Sequence, residues 1–375
     1  MKKAFNILAI GITFLLITGL LFSYLSVSIS PEKVWVLAFF GLIYPYLLFA
    51  NLLSFLYWSI KKKRLAILVL FVILLGWNHL NNYVRISRKN SKEISNIVIV
   101  QENKNQSATS VLSYNVRLFD LYNKDNKNKS VDEFFNFMNG EDFDIICLQE
   151  VLITDMFGLS VSDIKKKLNK TKNSYVIFTG GKESRHKYGI AVFTKYPIIN
   201  KGEISFKNTS NLSIFIDILI AGDTVRVYNN HLQSFRLGSD NFRFLTELEG
   251  TIEDPPMQEM RDITSRMKHA YIKRAGQAKQ LSAHIHSSPY PVIVCGDFND
   301  TPVSFTYHTI RKDLKDAFVE SGLGMGKTYS QIFPSYRIDY ILHSPDLESY
   351  EFKTVRKNYS DHYPVKSLLL PAEKR

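Results

Sequence analysis

Four polar side chains that can bind a metal ion or move a proton follow short apolar runs of this 375-residue chain. The runs span residues 111–114, 145–149, 225–230 and 292–296, and they lead into Asn115, Glu150, His231 and Asp297 respectively. Each run predicts a buried strand whose terminal polar group emerges at the rim of a sheet, where sites are commonly built on a rigid scaffold. One such ending is ordinary, whereas four with these residue types indicate one convergent site.

The residue types in this set suit the hydrolysis of a phosphate ester. Glu150, Asp297 and Asn115 offer hard oxygen ligands, which suit Mg²⁺ or Mn²⁺ better than zinc. His231 and His362 carry groups that give or take a proton near neutral pH.

Asp339 lies in Arg-Ile-Asp-Tyr at residues 337–340, where it can orient and charge-stabilise a histidine as carboxylates do in catalytic dyads. The sequence has no serine or cysteine in a recognised nucleophile turn and no glycine-rich phosphate loop. The set therefore favours attack by water on a phosphate ester, with a metal ion stabilising the charge.

Six short motifs resemble, in order, those of the endonuclease/exonuclease/phosphatase superfamily, which includes deoxyribonuclease I, AP endonucleases, neutral sphingomyelinases and inositol polyphosphate phosphatases. They are Leu-Ser-Tyr-Asn (112–115), Leu-Gln-Glu (148–150), Asn-His-Leu-Gln-Ser (230–234), Gly-Asp-Phe-Asn (296–299), Arg-Ile-Asp-Tyr (337–340) and Ser-Asp-His (360–362). Any one of them is a weak signal, but six in the same order are specific. The resemblance covers residues 108–371 and implies an α/β fold, a four-layer sandwich of two packed mixed sheets flanked by helices.

The resemblance also implies the metal ligands. Glu150 would be the principal ligand, with Asn115 beside it and Asp361 close to the metal ion. Each has an ordinary alternative: a solvated strand end for Glu150, a turn residue for Asn115 and a turn or helix cap for Asp361.

The same resemblance implies the catalytic groups. Asp297 would position or deprotonate the attacking water, and Asn299 would hold the phosphate or the developing oxyanion. His231 would bind the substrate and act as a general acid or hydrogen-bond donor, its alternative being a structural histidine at a sheet edge. His362 would be the second catalytic histidine, paired with Asp339. Such donors act where negative charge grows in the transition state.

Three apolar segments occupy the first 80 residues. Residues 5–25 and 34–60 are each long enough for a helix that crosses the hydrocarbon core, which takes about 20 residues. Residues 65–80 form a shorter third segment. A signal peptide is the alternative for the first segment, but a clear small-residue cleavage site is lacking and a second span follows at once. The pattern predicts two or three transmembrane helices in a membrane region of residues 1–86.

Basic residues favour a catalytic domain outside the cytoplasm. With the N-terminus inside, Lys2, Lys3 and the cluster at 61–64 are cytoplasmic, and three spans carry the chain across. Four basic residues between positions 85 and 92 oppose this placement, and without the third crossing the domain stays cytoplasmic. We expect an integral protein of a bacterial inner or plasma membrane, with the domain on the non-cytoplasmic side.

Most of the net charge of +12 belongs to the membrane region, since residues 1–106 carry +9 and the remainder only +3. Membrane topology and anionic lipid account for basic flanks of apolar segments, whereas a domain that binds a duplex through many phosphates would itself be basic. A hydrophobic content of 45% excludes an intrinsically disordered chain, and two cysteines exclude a disulfide framework or a cysteine-based zinc module.

Short β-branched runs predict seven strands beyond residue 107, with two helical patterns between some of them. The strands are predicted at residues 110–115, 144–150, 190–194, 212–220, 225–231, 292–297 and 338–342, and the helices at 131–139 and 266–286. Mixed strands and helices over this length are typical of α/β or α+β domains. Residues 87–107 are polar and are interpreted as a linker to a catalytic domain of residues 108–371.

The expected substrate is a phosphodiester in a lipid or a nucleic acid. An anchored domain lies within reach of a membrane surface, and residues 230–234 resemble sphingomyelinase-like and deoxyribonuclease-like members more than AP endonucleases. Lys182, Arg185, His186 and Lys187 are a candidate phosphate contact, although such a charge run is more often simply solvated. Residues 235–268 are a candidate lid or membrane contact, and a surface loop with an amphipathic helix explains them at least as well.

The expected partners are therefore the lipid bilayer and the phosphodiester, and no protein partner is indicated. Two alternatives stay open. One is a tethered Mg²⁺-dependent endonuclease or exonuclease, and the other is a non-catalytic membrane sensor or scaffold that retains the fold.

Overall fold

The computed structural model describes residues 2–86, 108–120, 127–141, 143–153, 159–179, 187–209, 211–235, 257–330, 336–357 and 359–372. The chain divides into two compact units, each built from separate stretches of sequence. The first consists of Met1–Trp77, Gln233–Gln280 and Val303–Thr309, and the second of Asn78–Leu232, Leu281–Pro302 and Ile310–Arg375. The predicted linker at 87–107 lies outside the described residues, so the domain boundaries placed around it stay predictions.

Helices make up most of the N-terminal part over its described residues 2–86. Its helices are α1 (Lys2–Leu25), α2 (Pro31–Val34), α3 (Val36–Leu42), α4 (Tyr44–Ile60), α5 (Leu65–Leu75) and α6 (Trp77–Tyr83). Among the residues that the structure describes, α1 is long and apolar enough to cross a membrane, and the number of such spans rises to three if two bent helix pairs each count as one. These pairs are α3 with α4, bent by 67°, and α5 with α6, bent by 58°.

Polar side chains join α1 to α4 within the first unit. Trp58 Nε1 donates to Thr13 Oγ1 at 2.8 Å, and Thr13 Oγ1 lies 3.0 Å from Ser54 Oγ. Asn51 is fully buried and donates from Nδ2 to the Leu16 carbonyl at 3.0 Å. An unbonded polar group in apolar surroundings costs several kcal/mol, so these bonds fix how the two helices pack.

The long helix α9 (Met257–His286) begins nine residues before the predicted helix at 266–286. Its residues up to Gln280 belong to the first unit. There Tyr271 meets Phe39 edge-on, with ring centroids 5.4 Å apart, and Lys279 forms an ion pair with Glu32. The first unit thus joins residues close to the N-terminus with residues more than 200 positions further along the chain.

Two six-stranded sheets form the second unit, in the orders β11-β12-β1-β2-β4-β3 and β5-β6-β7-β8-β10-β9. The strands are β1 (Thr109–Asn115), β2 (Ile145–Ile153), β3 (Asn173–Thr179), β4 (Lys187–Thr194), β5 (Ile198–Ser205), β6 (Leu212–Ile220), β7 (Asp223–His231), β8 (Val292–Asp297), β9 (Lys315–Asp316), β10 (Asp339–His343), β11 (Leu347–Thr354) and β12 (Val365–Pro371). One pair in each sheet is parallel, β1 with β2 and β7 with β8. The sheets are therefore mixed, as the resemblance predicted.

Apolar side chains fill the space between the sheets, for example Val111 of β1 and Ile293 of β8. A second apolar cluster packs α7 (Lys127–Glu141) and α8 (Val161–Lys167) against the first sheet. Two shorter helices, α10 (Phe305–Arg311) and α11 (Ala317–Ser321), follow β8 and β9 along the chain. Two packed mixed sheets flanked by helices confirm the predicted four-layer sandwich.

A buried ion pair between β6 and β7 makes the stability of the second unit testable. Arg226 donates from Nε and Nη2 to the two carboxylate oxygens of Asp217, at 2.6 and 2.9 Å. We expect Asp217→Ala to lower the free energy of unfolding by about 3–5 kcal/mol, because the arginine then stays buried without its counter-charge. Chemical denaturation of the full chain measures this, with the exposed Asp223 changed to alanine as the control. Equal losses in both variants would contradict a role for the pair.

Candidate active site

The strand ends that the sequence singled out lie together at one end of the sandwich. Asn115 ends β1, Glu150 lies in β2, and His231 and Asp297 end β7 and β8. Since both central pairs are parallel, their carboxyl ends share an edge in each sheet. In the register of the second sheet, Asp297 pairs with His231 on one side and with Asp339 on the other. Asp297 therefore lies between two other candidate catalytic residues, His231 and Asp339.

Asn115 connects the acids of the two sheets. Its Nδ2 donates to Glu150 Oε1 at 3.2 Å and to Asp297 Oδ2 at 3.0 Å. Its Oδ1 accepts from the backbone N–H of Arg117 at 3.0 Å, which is the turn role expected as its alternative. Only 1% of Asn115 is exposed, so its amide is a fixed donor between two carboxylates.

Asp297, Asp339 and His362 form a buried group that we call the acid–histidine trio. His362 Nδ1 donates to Asp339 Oδ2 at 2.9 Å, and His362 Nε2 lies 3.8 Å from Asp297 Oδ2. Burial alone would lower the pKa of His362, but the charges of Asp339 and Asp297 outweigh it and raise this pKa to about 10. Burial and the charge of Asp339 raise the pKa of Asp297 to about 6. At neutral pH the trio therefore holds a proton on the histidine.

We expect His362 to stay protonated well above the usual range of histidine in the metal-free protein. Because its pKa rises from 6.5 to about 10 on folding, the stability it contributes is fully present below 6.5 and is lost as the pH rises through about 10. Asp339→Asn removes the charge that retains the proton, so this variant should lower the pKa of His362. Imidazole NMR measures both values, and a wild-type His362 that titrates near 6.5 would contradict the geometry.

Glu150 is more open than the acids of the trio. It has a left-handed backbone, with φ of 52°, where the register of β2 against β4 shifts. Such bulges re-aim a side chain next to functional sites. The carboxylate is 33% exposed, and its Oε1 lies 3.4 Å from His231 Nε2. A carboxylate in this position is accessible to a cation and to a substrate.

Asn299 follows β8 in a second left-handed conformation, with φ of 53°. Its Nδ2 donates to the Leu232 carbonyl at 3.0 Å and to Asp297 Oδ2 at 3.1 Å, and its N–H donates to Asp297 Oδ1 at 2.8 Å. Gly296 allows β7 to approach closely, because a Cβ there would lie 2.1 Å from the Asn230 carbonyl oxygen. Strained backbone of this kind clusters at active sites, where surrounding bonds hold it in place.

Two residues at the site escaped the sequence reasoning. Arg117 Nε lies 3.5 Å from Asp361 Oδ2 and begins three consecutive left-handed residues. Tyr329 meets the His362 ring edge-on at 5.2 Å, and burial followed by the charge of Asp361 raises the pKa of its hydroxyl. Arg117 lies two residues after the first motif, which was an available signal. Tyr329 lies outside every motif, so the sequence offered none.

The side chains present fit a divalent cation. The acid–histidine trio has ligand atoms within 4.8 Å of one another, but its histidine is charged and shares its Nδ1 proton with Asp339. Glu150 and Asp361 are carboxylates that are 33% and 16% exposed, so they can bind an ion that keeps part of its water shell. Oxygen donors of this type suit Mg²⁺ or Mn²⁺. By this chemistry Glu150, rather than the trio, would hold the ion.

Parts of the candidate substrate contacts lie outside the described residues. These are residues 182–186 of the first loop and 236–256 of the segment at 235–268. Lys187 begins β4, and residues 257–268 are the first turns of α9. The roles suggested for these two segments stay predictions.

A model described as the Endonuclease/Exonuclease/phosphatase family matches residues 112–362, which is more than half of the chain and includes every candidate site residue. The chain belongs to this family. Members of the endonuclease/exonuclease/phosphatase family are metal-dependent phosphoester hydrolases. A further model, a domain of unknown function (DUF8431), matches residues 5–83. No curated protein matches the chain.

Solved structures share the fold at low sequence identity. A family protein from Bacteroides thetaiotaomicron is 17% identical, with a TM-score of 0.52 over 71% of this chain and 99% of that one. The human Nocturnin catalytic domain with bound sulfate anion is 17% identical, with a TM-score of 0.51 over 71% and 94%. A functionally unknown protein from Enterococcus faecalis is 15% identical, with a TM-score of 0.51 over 70% and 100%. These likenesses support the sandwich of the endonuclease/exonuclease/phosphatase family.

Proposed function

We propose that the protein is a membrane-anchored phosphodiesterase that hydrolyses its substrate by water attack at phosphorus. One observation supports this most strongly. Asn115 bonds at once to Glu150 and to Asp297, and Asp297 in turn lies beside the His362 imidazolium. A metal-binding carboxylate, a base and a cationic donor thus converge at a single point.

Asp297 is the base in this proposal. Its pKa of about 6 leaves it ionised at neutral pH while keeping it more basic than an ordinary aspartate. Three donors from Asn115 and Asn299 fix its two oxygens, so the carboxylate needs no reorganisation before it takes a proton.

The groups of the site can supply every proton transfer that the hydrolysis requires. The water oxygen forms a bond to phosphorus, the bond from phosphorus to the leaving oxygen breaks, and the water proton goes to Asp297. His231 gives its proton to the leaving oxygen, and the His362 imidazolium stabilises the charge of the phosphoryl oxygens. A divalent ion held by Glu150 would supply further charge neutralisation of the phosphate. Because water attacks directly, no covalent enzyme intermediate forms.

A lipid head group is the favoured phosphodiester. The three apolar segments hold the chain to a bilayer, where a lipid substrate is concentrated. The part of the chain beyond residue 106 carries a net charge of only +3, which does not match a duplex bound through many phosphates. The same site chemistry would also hydrolyse a nucleic acid, so a tethered nuclease is the alternative function.

The test is a substrate panel with the full-length protein in liposomes and Mg²⁺ or Mn²⁺. Sphingomyelin, phosphoinositides, plasmid DNA and RNA are compared, with Glu150→Gln as the blank. We expect head-group release that is absent from the blank. Nucleic-acid cleavage alone would replace the lipid proposal with the nuclease, and inactivity on every substrate would support the sensor or scaffold.

A further inference from the structure

The end of the N-terminal apolar region is built into the second compact unit. Asn82 and Tyr83, the last residues of α6, are 5% and 2% exposed. Arg311 Nη1 donates to Asn82 Oδ1 at 2.6 Å, and Arg337 Nη2 donates to the Asn82 carbonyl at 2.8 Å. Hydrogen bonds from a charged donor are among the strongest in proteins. The helix end is therefore held by two arginines of the sandwich.

A backbone contact holds the same segment three residues further on. The Arg85 N–H donates to the Gly324 carbonyl at 2.9 Å, and the Gly324 N–H donates to the Arg85 carbonyl at 2.8 Å. Gly324 belongs to the stretch that leads to Thr328 and Tyr329, and Tyr329 forms a β-bridge with His362. The bridge at Arg85 thus holds one end of the stretch from Gly324 to Tyr329, whose other end pairs with His362.

Arg337, one of the two arginines that bind Asn82, also lies next to Asp339, the partner of His362. Arg337 is fully buried, and its Nη1 donates to Asp316 Oδ2 at 2.8 Å. It stands two residues before Asp339, the first residue of β10. Thr328 Oγ1 accepts from the Asp339 N–H at 3.2 Å, which ties this strand end to the stretch supported by Arg85. The two contacts of the segment therefore connect to Asp339 along different routes, one through Arg337 and the other through Thr328.

We propose that residues 82–85 are a positioning element of the Asp339–His362 pair. The end of the apolar region then has a role in the site as well as in anchoring, and the matched domain of unknown function, which ends at residue 83, includes part of that element. The inference rests on the proposed phosphodiesterase activity.

Substitutions in the full-length protein separate positioning from anchoring. Asn82→Ala removes the bond from Arg311 that holds residue 82 and therefore the carbonyl that accepts from Arg337, whereas Asn82→Asp keeps an acceptor for Arg311. Arg85→Pro removes the N–H that bonds to Gly324. The matched controls are Asn81→Ala, one residue away on α6, and Ile86→Pro at an 89% exposed position just after the bridge.

We expect Asn82→Ala and Arg85→Pro to lower kcat by about 10- to 100-fold with KM unchanged, since small displacements of catalytic groups have effects of this size. Asn82→Asp should restore kcat. The downfield proton resonance of the His362 Nδ1–H bond, assigned by its loss in Asp339→Asn, should weaken in the two impaired variants of the metal-free protein. Both controls should behave as the wild type.

Wild-type kcat and resonance in Asn82→Ala and Arg85→Pro would overturn the positioning role. If Arg85→Pro fails to fold, the comparison of Asn82→Ala with Asn82→Asp still decides it. Inactivity of the wild type on every phosphodiester would instead refute the proposed function, and the proton resonance alone would then decide the positioning role.

Discussion

Replacing Asp297 by asparagine is expected to lower kcat for phosphodiester hydrolysis by about 10²–10⁴-fold, the usual contribution of a general base. The amide keeps the shape of the side chain but cannot accept a proton from water. Steady-state kinetics of the full-length protein in liposomes measure the loss. Asp346→Asn, the same change at an exposed turn of the sandwich, is the control and should leave kcat unchanged.

The same substitution should leave the fold intact. Asp297 is 1% exposed, and burial raises its pKa to about 6, so the charged form opposes folding at neutral pH. Asparagine removes that charge but gives up bonds accepted from Asn115 and Asn299. The two effects oppose each other, so we expect a similar unfolding midpoint. Full activity in a folded Asp297→Asn protein would exclude Asp297 as the base.

Glu150→Gln is expected to weaken metal binding by about 100-fold or more. Even residues that only support a metal ligand contribute 10- to 100-fold to affinity, and this change removes the charge of the ligand itself. Titration calorimetry with Mn²⁺ in the absence of substrate measures the affinity directly. Activity should fall as well, and higher metal concentration should restore part of it.

Glu203→Gln is the matched control for Glu150→Gln, because this glutamate is exposed on β5. It should bind Mn²⁺ with wild-type affinity. If Glu150→Gln also binds normally while Asp297→Asn does not, the ion belongs in the acid–histidine trio and our placement of it at Glu150 is wrong.

The predictable part of the fold was its centre. Strands such as β6 and β8 consist mostly of buried, β-branched or apolar residues, and their predicted bounds match the structure. The strands that escaped prediction include the sheet edges β3, β5, β9 and β11. The burial pattern of β5 shows why, since most of its residues are exposed and no apolar run marks it.

The candidate site was predictable wherever a motif carried the residue. Asn115, Glu150, His231 and Asp297 are each the polar end of an apolar run, so their convergence followed from the geometry of parallel strands. Tyr329 was not predictable, because only long-range pairing with His362 brings it to the site. The bends within the second and third apolar segments were not predicted either, although Pro45 and Gly76 lie beside them.

The contacts of Asn82 could not be predicted from the sequence, for a different reason. An asparagine at the end of an apolar segment is typical of a helix leaving the membrane, and the sequence contains no sign of its two arginine donors. They lie 229 and 255 residues away along the chain. Only the folded second unit brings them together.

Hydrolysis of a small soluble phosphodiester by the full-length protein, before and after a chelator, tests whether the site is a metal-dependent phosphodiesterase. We predict turnover that the chelator abolishes and added Mg²⁺ or Mn²⁺ restores, and turnover at least about 100-fold lower in Asp297→Asn with either metal. Turnover that survives the chelator, or that is equal in wild type and Asp297→Asn, would contradict a metal-dependent phosphodiesterase built on this site.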